Sequence, residues 1–222
     1  MQRSSRPYQM FIAATALALA AVVGGGSPSA MAATDAAFAG AFQQFSSASM
    51  GDTSSIDKAA DSFDALSKSE PANPVLMAYA GATTAMKAST TMLPLKKMSY
   101  AEDGMALLDK ALAMLTPAHD APMQRGTPGS LEVRFVAANT FLAVPGFMNR
   151  GARGAKLLAD VVASPLFASA PLPFKGAVWM RAATLATKEQ RTEDARRYLN
   201  EVITTGAPQS EAAKAKLKEV AA

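Results

Sequence analysis

The residues able to carry chemistry are few and scattered. The chain has one histidine, His119, and no cysteine. His119 and Asp120 are adjacent, and sequence neighbours do not easily adopt the geometry of a base and the acid that orients it. No G-x-S-x-G elbow occurs. Nucleophilic catalysis therefore has no residue set, and His119 reads as a solvated loop residue. Asp57, Asp61 and Asp64 share a helix face at i, i+4, i+7. Three carboxylates can attract a hard cation, but no fourth ligand or glycine-turned loop accompanies them, so a solvated face is the simpler reading. A zinc site lacks ligands. Gly151-x2-Gly154 follows no strand, which argues against a dinucleotide fingerprint. No metal or cofactor is implied, and the chain does not read as an enzyme.

One charged cluster stands out. Arg150, Arg153 and Lys156 crowd the first turns of a helix that begins near Asn149. Positive charge there opposes the helix dipole. Exposed amides together with arginines at a helix start suit an anion or an acidic side chain. Two readings stand. One is an internal salt bridge, with Glu132 or Asp160 as the acid. The other is an anion site in which Arg134 joins Arg150, Arg153 and Lys156. Lys96 and Lys97 form a second, smaller basic cluster that reads as plain solvation.

These residues must be positioned by helices. The stretch from Ser130 to Ser164 organises the chain. Val133, Val136, Ala137, Thr140, Phe141 and Val144 predict a helix over 131–144. Pro145-Gly146 turns the chain, and Ala155, Leu158, Val161 and Val162 predict a return helix over 150–163. Before this pair, Phe38, Phe42 and Phe45 mark a core-facing stripe over 34–48. Capping-box spacings at Ser54–Asp57 and Ser99–Glu102 start helices that end near 67 and 115. A helix over 75–89 begins at a first-turn Pro74. Residues 90–97, with Pro94, read as a loop. Residues 116–129, rich in proline and glycine, are the longest loop. Residues 164–173 form another. Helices follow over 174–188, from a Thr192 cap to 204, and from a Ser210 cap to 220. No run alternates with strand periodicity. The expectation is all-α, with about nine helices and no sheet.

Composition bounds the rest. Half of the 222 residues are apolar and 18% are charged. Arg3 and Arg6 supply half of the net +4, and the remainder is too balanced for a nucleic-acid binder. Residues 1–9 are basic, 10–23 are apolar and uncharged, and Ala30-Met31-Ala32 fits a small-x-small cleavage pattern. We therefore expect residues 1–32 to be a cleavable secretory signal, cut after Ala32. No Arg-Arg pair marks the twin-arginine route. The expected product, residues 33–222, is a single domain in the periplasm with no stable membrane insertion once the signal is removed.

A repeat runs through the second helix of each predicted pair. Ala59-x3-Phe63-x2-Leu66 precedes Pro71, and Gly104-x3-Leu108-x2-Ala111 precedes Pro117. Gly154-x3-Leu158-x2-Val161 precedes Pro165, and Ala195-x3-Leu199-x2-Val202 precedes Pro208. The first helices carry small pairs, Ala80-Gly81, Ala137-Ala138 and Ala182-Ala183. Helices approach closely only where side chains are small, and the large residue fills the next gap. This pattern resembles the tetratricopeptide (TPR) repeats, with Trp179 near the family's early aromatic, although the spacing here is longer than the family's. The stretches LPLKKMSYAEDG and EVRF…PGFMNR also look like a group of exported repeat-like proteins with no assigned chemistry. The resemblance implies stacked antiparallel hairpins, a TPR-like α-solenoid, whose first helices line a groove for a protein or peptide partner. Mapped onto this chain, the groove positions are Glu132, Phe135, Asn139, Met180 and Thr184. It implies a periplasmic adaptor serving an envelope or transporter complex. The alternative is a receptor for a small anionic ligand, held by Arg150 and Arg153. Met77, Met86 and Met180 would suit an adaptable apolar partner if they line the groove.

Overall fold

The computed structural model describes residues 28–221. Among them are nine α-helices and no strand. These are α1 (Pro28–Ser49), α2 (Ile56–Ser69), α3 (Pro74–Met86), α4 (Pro94–Ala113), α5 (Gly129–Ala143), α6 (Gly151–Ala163), α7 (Leu172–Lys188), α8 (Thr192–Thr204) and α9 (Ser210–Ala221). Most of the expected signal, residues 1–27, lies outside the described residues. The backbone at 30–32 belongs to the first turn of α1.

The helices pack as consecutive hairpins: α1 with α2, α3 with α4, α5 with α6, α7 with α8. Helix α9 covers the open side of α8. Further contacts join α2 to α3, α3 and α4 to α5, and α6 to α7. The core divides accordingly. One cluster spans α1 to α5 around Phe38, Phe63 and Phe141, a second joins α5, α6 and α7, and a third joins α7, α8 and α9.

Small residues set the hairpin spacing. A Cβ placed on Gly104 would lie 2.5 Å from the Gly81 carbonyl oxygen, so these two backbones touch. Gly154 meets Leu142 and the Ala138 carbonyl in the same way. Ala80, Ala137 and Ala182, the first members of the small pairs, are all buried, as are Ala59 and Ala195 of the repeat. The large partners Phe63, Leu108, Leu158 and Leu199 are buried beside them. Fully burying each contributes about 1.5–3 kcal/mol.

The helix starts differ from the sequence expectation in instructive ways. Helix α4 begins at Pro94, not Ser99. Proline at the first position loses no hydrogen bond and has its φ preset, so a proline that reads as a loop residue here starts a helix. Ser99 therefore sits inside the helix, where its hydroxyl donates to Asp103 at 3.0 Å in place of a cap. Helix α7 likewise begins at Leu172, with Pro173 in its first turn. Ahead of α2, Asp52 caps a 3-10 turn over Thr53–Ser55 that leads into the helix, and Ser55, at the N-cap of α2, makes no side-chain cap. The Asp52 carboxylate accepts from the Ser54 amide at 3.0 Å and from the Ser55 hydroxyl at 2.6 Å. Those hydroxyl donors, Ser55 first, hold the Asp52 carboxyl below its ordinary range. Thr192 and Ser210 are the first residues of their helices; the N-cap of α8 is Arg191, without a side-chain cap, and the Ser210 hydroxyl donates to the Ala207 carbonyl at 2.6 Å. Helix α8 ends as expected at Gly206 (φ 67°), whose left-handed backbone lets the Ala207 amide reach Val202 at 3.2 Å.

Candidate functional site

The first helices of the four hairpins, α1, α3, α5 and α7, face one another across a cleft of about 1160 Å³. The start of α4 and the turn after α5 form its rim. Its walls are apolar and aromatic. Phe42 and Phe45 from α1 pack edge-on to Tyr79 of α3, with ring centroids 5.8 and 5.0 Å apart. On the far side Phe135 of α5 meets Phe174 of α7 edge-on at 5.3 Å. Met86, Met98, Met148 and Met180 add soft, adaptable surface. Among the described residues, three bases and no acid line this space: Lys97, Arg125 and Arg181.

Of the five mapped groove residues, Phe135, Asn139, Met180 and Thr184 line the cleft. Glu132 does not. It is 1% exposed and lies behind the wall. Its Oε1 accepts from the Tyr79 hydroxyl at 2.7 Å and from Arg125 at 2.8 Å. Its Oε2 has no partner among the described residues. Burial raises the Glu132 pKa, and the Arg125 charge only partly opposes this. Burial and the neighbouring carboxylate push the Tyr79 phenol well above its ordinary range. Met86 and Met180 line the cleft, whereas Met77 is buried in the core.

Arg125 is the first of the residues that sequence reasoning missed. The long loop folds back so that its guanidinium stacks 3.5 Å from the Phe42 ring centroid while pairing with Glu132. Its backbone is left-handed, with φ 56°, an unfavourable state for arginine. The Met123 amide donates to Thr127 at 2.8 Å and pins this turn. Arg125 and Glu132 are seven residues apart across a loop, so no helical spacing announces the pair. Arg181 is different. Nη2 donates to the Asn139 carbonyl oxygen at 3.2 Å, its buried Nε has no partner among the described residues, and no carboxylate pairs with it. Burial lowers its pKa.

The arginine cluster has an internal acid that the sequence did not single out. Arg150 and Arg153 both pair with Asp109 of α4, Arg150 at 3.1 Å. Both also lie over the buried Phe141 ring. Glu132, considered above as their acid, is committed to Arg125. Lys156 pairs with Asp160 one turn along at 2.8 Å. Arg134 donates to the Ser130 carbonyl of its own helix at 3.3 Å. The four bases are thus held by three partners, Asp109, Asp160 and the Ser130 carbonyl, and do not converge on one anion site.

The remaining candidates are engaged locally. The His119 Nδ1 accepts from the Thr116 amide at 3.0 Å, tying off a 3-10 turn. Asp57 approaches Lys87 at 3.6 Å and Asp64 holds Lys68 at 2.7 Å. Among the described residues no group of three or more His, Cys, Asp or Glu side chains is placed to hold a metal ion. Comparison with protein families, with curated proteins and with solved structures finds no match to this chain.

Proposed function

We propose that this protein binds rather than catalyses: it is an exported, TPR-like adaptor that holds an apolar segment of a partner protein in the cleft between its first helices. The cleft itself carries this reading. It is wide and walled by rigid aromatic side chains, with methionines that can repack around varied apolar groups. Among its polar groups, Asn139 and Thr140 of α5 and Arg181 and Thr184 of α7 come from two neighbouring first helices, where they would orient an occupant. The compartment follows from the basic, then apolar, leader, and no described helix is long and apolar enough to cross a membrane. A periplasmic envelope assembly is the natural source of such a partner. The anion-receptor alternative has less in its favour, because Asp109 already occupies Arg150 and Arg153.

The test is site-directed photocrosslinking in intact cells. A photoreactive phenylalanine at Met180, inside the cleft, is expected to capture a discrete partner. The same group at Glu201, on the exposed face of α8, is expected to capture none. Ala177→Trp, which fills the cleft, should abolish the Met180 product. Equal capture at both positions, or none at Met180 in a folded protein, overturns the proposal.

A further inference from the structure

Among the described residues, the strongly exposed large apolar side chains gather at one place. They are Met50, Met92, Leu93, Leu95, Met98 and Phe147. Met98 and Phe147 line the cleft, Met50, Leu93 and Leu95 are chain neighbours of Ser49 and Pro94, which also line it, and Met92 precedes Leu93. The end of α1, the start of α4 and the turn after α5 thus bring every one of them to the cleft rim. Met92 and Leu95 are 87% and 86% exposed, so they project from the surface instead of lying in it.

The uncompensated charge at this rim is positive: Lys87 approaches Asp57 at 3.6 Å, whereas Lys96 and Lys97 have no salt-bridge partner among the described residues. The segment from Met86 to Ala101 holds Lys87, Lys96 and Lys97 and no acid. Helix α4 has no acid in its first turn, although its dipole favours one there. Its free amides and two lysines therefore face outward around an apolar tip. Asp52, two residues after Met50, accepts from Ser54 and Ser55.

We propose that this rim docks on an anionic membrane surface, with Met92, Leu93, Leu95 and Phe147 entering the headgroup boundary and Lys96 and Lys97 meeting lipid phosphates. A protein interface wants a broad, closely fitted patch. Projecting apolar tips flanked by long cationic side chains match the bilayer interface, where lysine stems lie along the tails and the ammonium reaches the headgroups. The contact is peripheral. It faces the cleft mouth toward the lipid, and it holds whatever the cleft carries.

The experiment is cosedimentation of the protein, as purified from the cell envelope, with two kinds of vesicle: phosphatidylcholine alone, and an equal mixture with phosphatidylglycerol. Binding to the mixed vesicles is expected, weakening with salt. Lys96→Gln with Lys97→Gln should reduce it roughly 25-fold, about five-fold per lysine, without altering binding to neutral vesicles. Met92→Ser with Leu95→Ser should reduce it at least about ten-fold on both. These side chains touch little else, so circular dichroism should show both variants folded. Absence of sedimentation, or equal sedimentation of wild type and variants, overturns the proposal. So does a dimer in solution that Leu95→Ser dissociates with no vesicle binding by either form, which would make the rim a self-interface.

Discussion

The Tyr79 hydroxyl of α3 donates to the Glu132 carboxylate of α5 at 2.7 Å, bridging 53 residues of sequence inside the core. The bond ties two first helices together behind the cleft wall, and Arg125 caps it from the solvent side. Tyr79→Phe leaves a buried acceptor with one partner fewer. We expect a stability loss of about 1–3 kcal/mol in urea unfolding.

The same carboxylate has a pH signature. Burial raises its pKa in the folded state above the 4.5 of a free glutamate. Below that value the group is protonated in both folded and unfolded chains. As pH rises, the unfolded chain releases the proton first, so stability falls through the window up to the folded pKa. Glu132→Gln has no such term. The melting-temperature advantage of wild type over the variant should be largest near pH 4 and shrink toward neutrality. An advantage that grows with pH would contradict the burial argument.

Gly81 and Gly104 set the separation of α3 and α4. A Cβ on Gly104 would meet backbone at 2.5 and 2.6 Å, which no rotamer change can relieve. Gly104→Ala should lose about 1–3 kcal/mol despite its better helix propensity. Gly40, in α1, has nothing within 4 Å of such a Cβ, so Gly40→Ala should gain up to about 1 kcal/mol. Denaturant midpoints of the two variants should move in opposite directions.

Asp109 neutralises the start of α6. The three side chains of this cluster are about a third exposed, so water and salt screen them, and Asp109→Ala should cost no more than about 1 kcal/mol. It should also create a new property. With Arg150 and Arg153 released, sulfate should raise the melting temperature of the variant more than that of wild type. Equal shifts would mean that the pair is open to anions already.

Arg181 is desolvated without an acid. Replacing it by methionine keeps the apolar stem and removes a charge that burial disfavours. We expect Arg181→Met to melt at or above the wild-type temperature while weakening the Met180 crosslink several-fold. A less stable variant with intact capture would make Arg181 a structural residue.

The helices themselves were legible in the sequence. The periodic apolar residues of α2, α5, α6 and α8 place those elements to within a few residues, because helical periodicity is a local signal. The capping sites were less so. Pro94 and Pro173 start helices where proline was read as an interruption, since the same locked φ serves both roles. The resemblance to TPR repeats places Phe135, Asn139, Met180 and Thr184 in the groove, and these four line the cleft. The same resemblance places Glu132 there too, but the loop bearing Arg125 folds over it and seals it from the cleft.

What the sequence determined alone was the all-helical class and the faces that pack, because tiny and bulky residues at helical spacing select a neighbour through local geometry. Tertiary structure decided the charges and the surface: Arg125 with Glu132, Arg150 and Arg153 with Asp109, and the joining of Met50, Leu95 and Phe147 at one rim. Such pairings depend on where loops and distant helices arrive, and neither a screened charge nor an exposed apolar tip leaves a periodic trace in the chain.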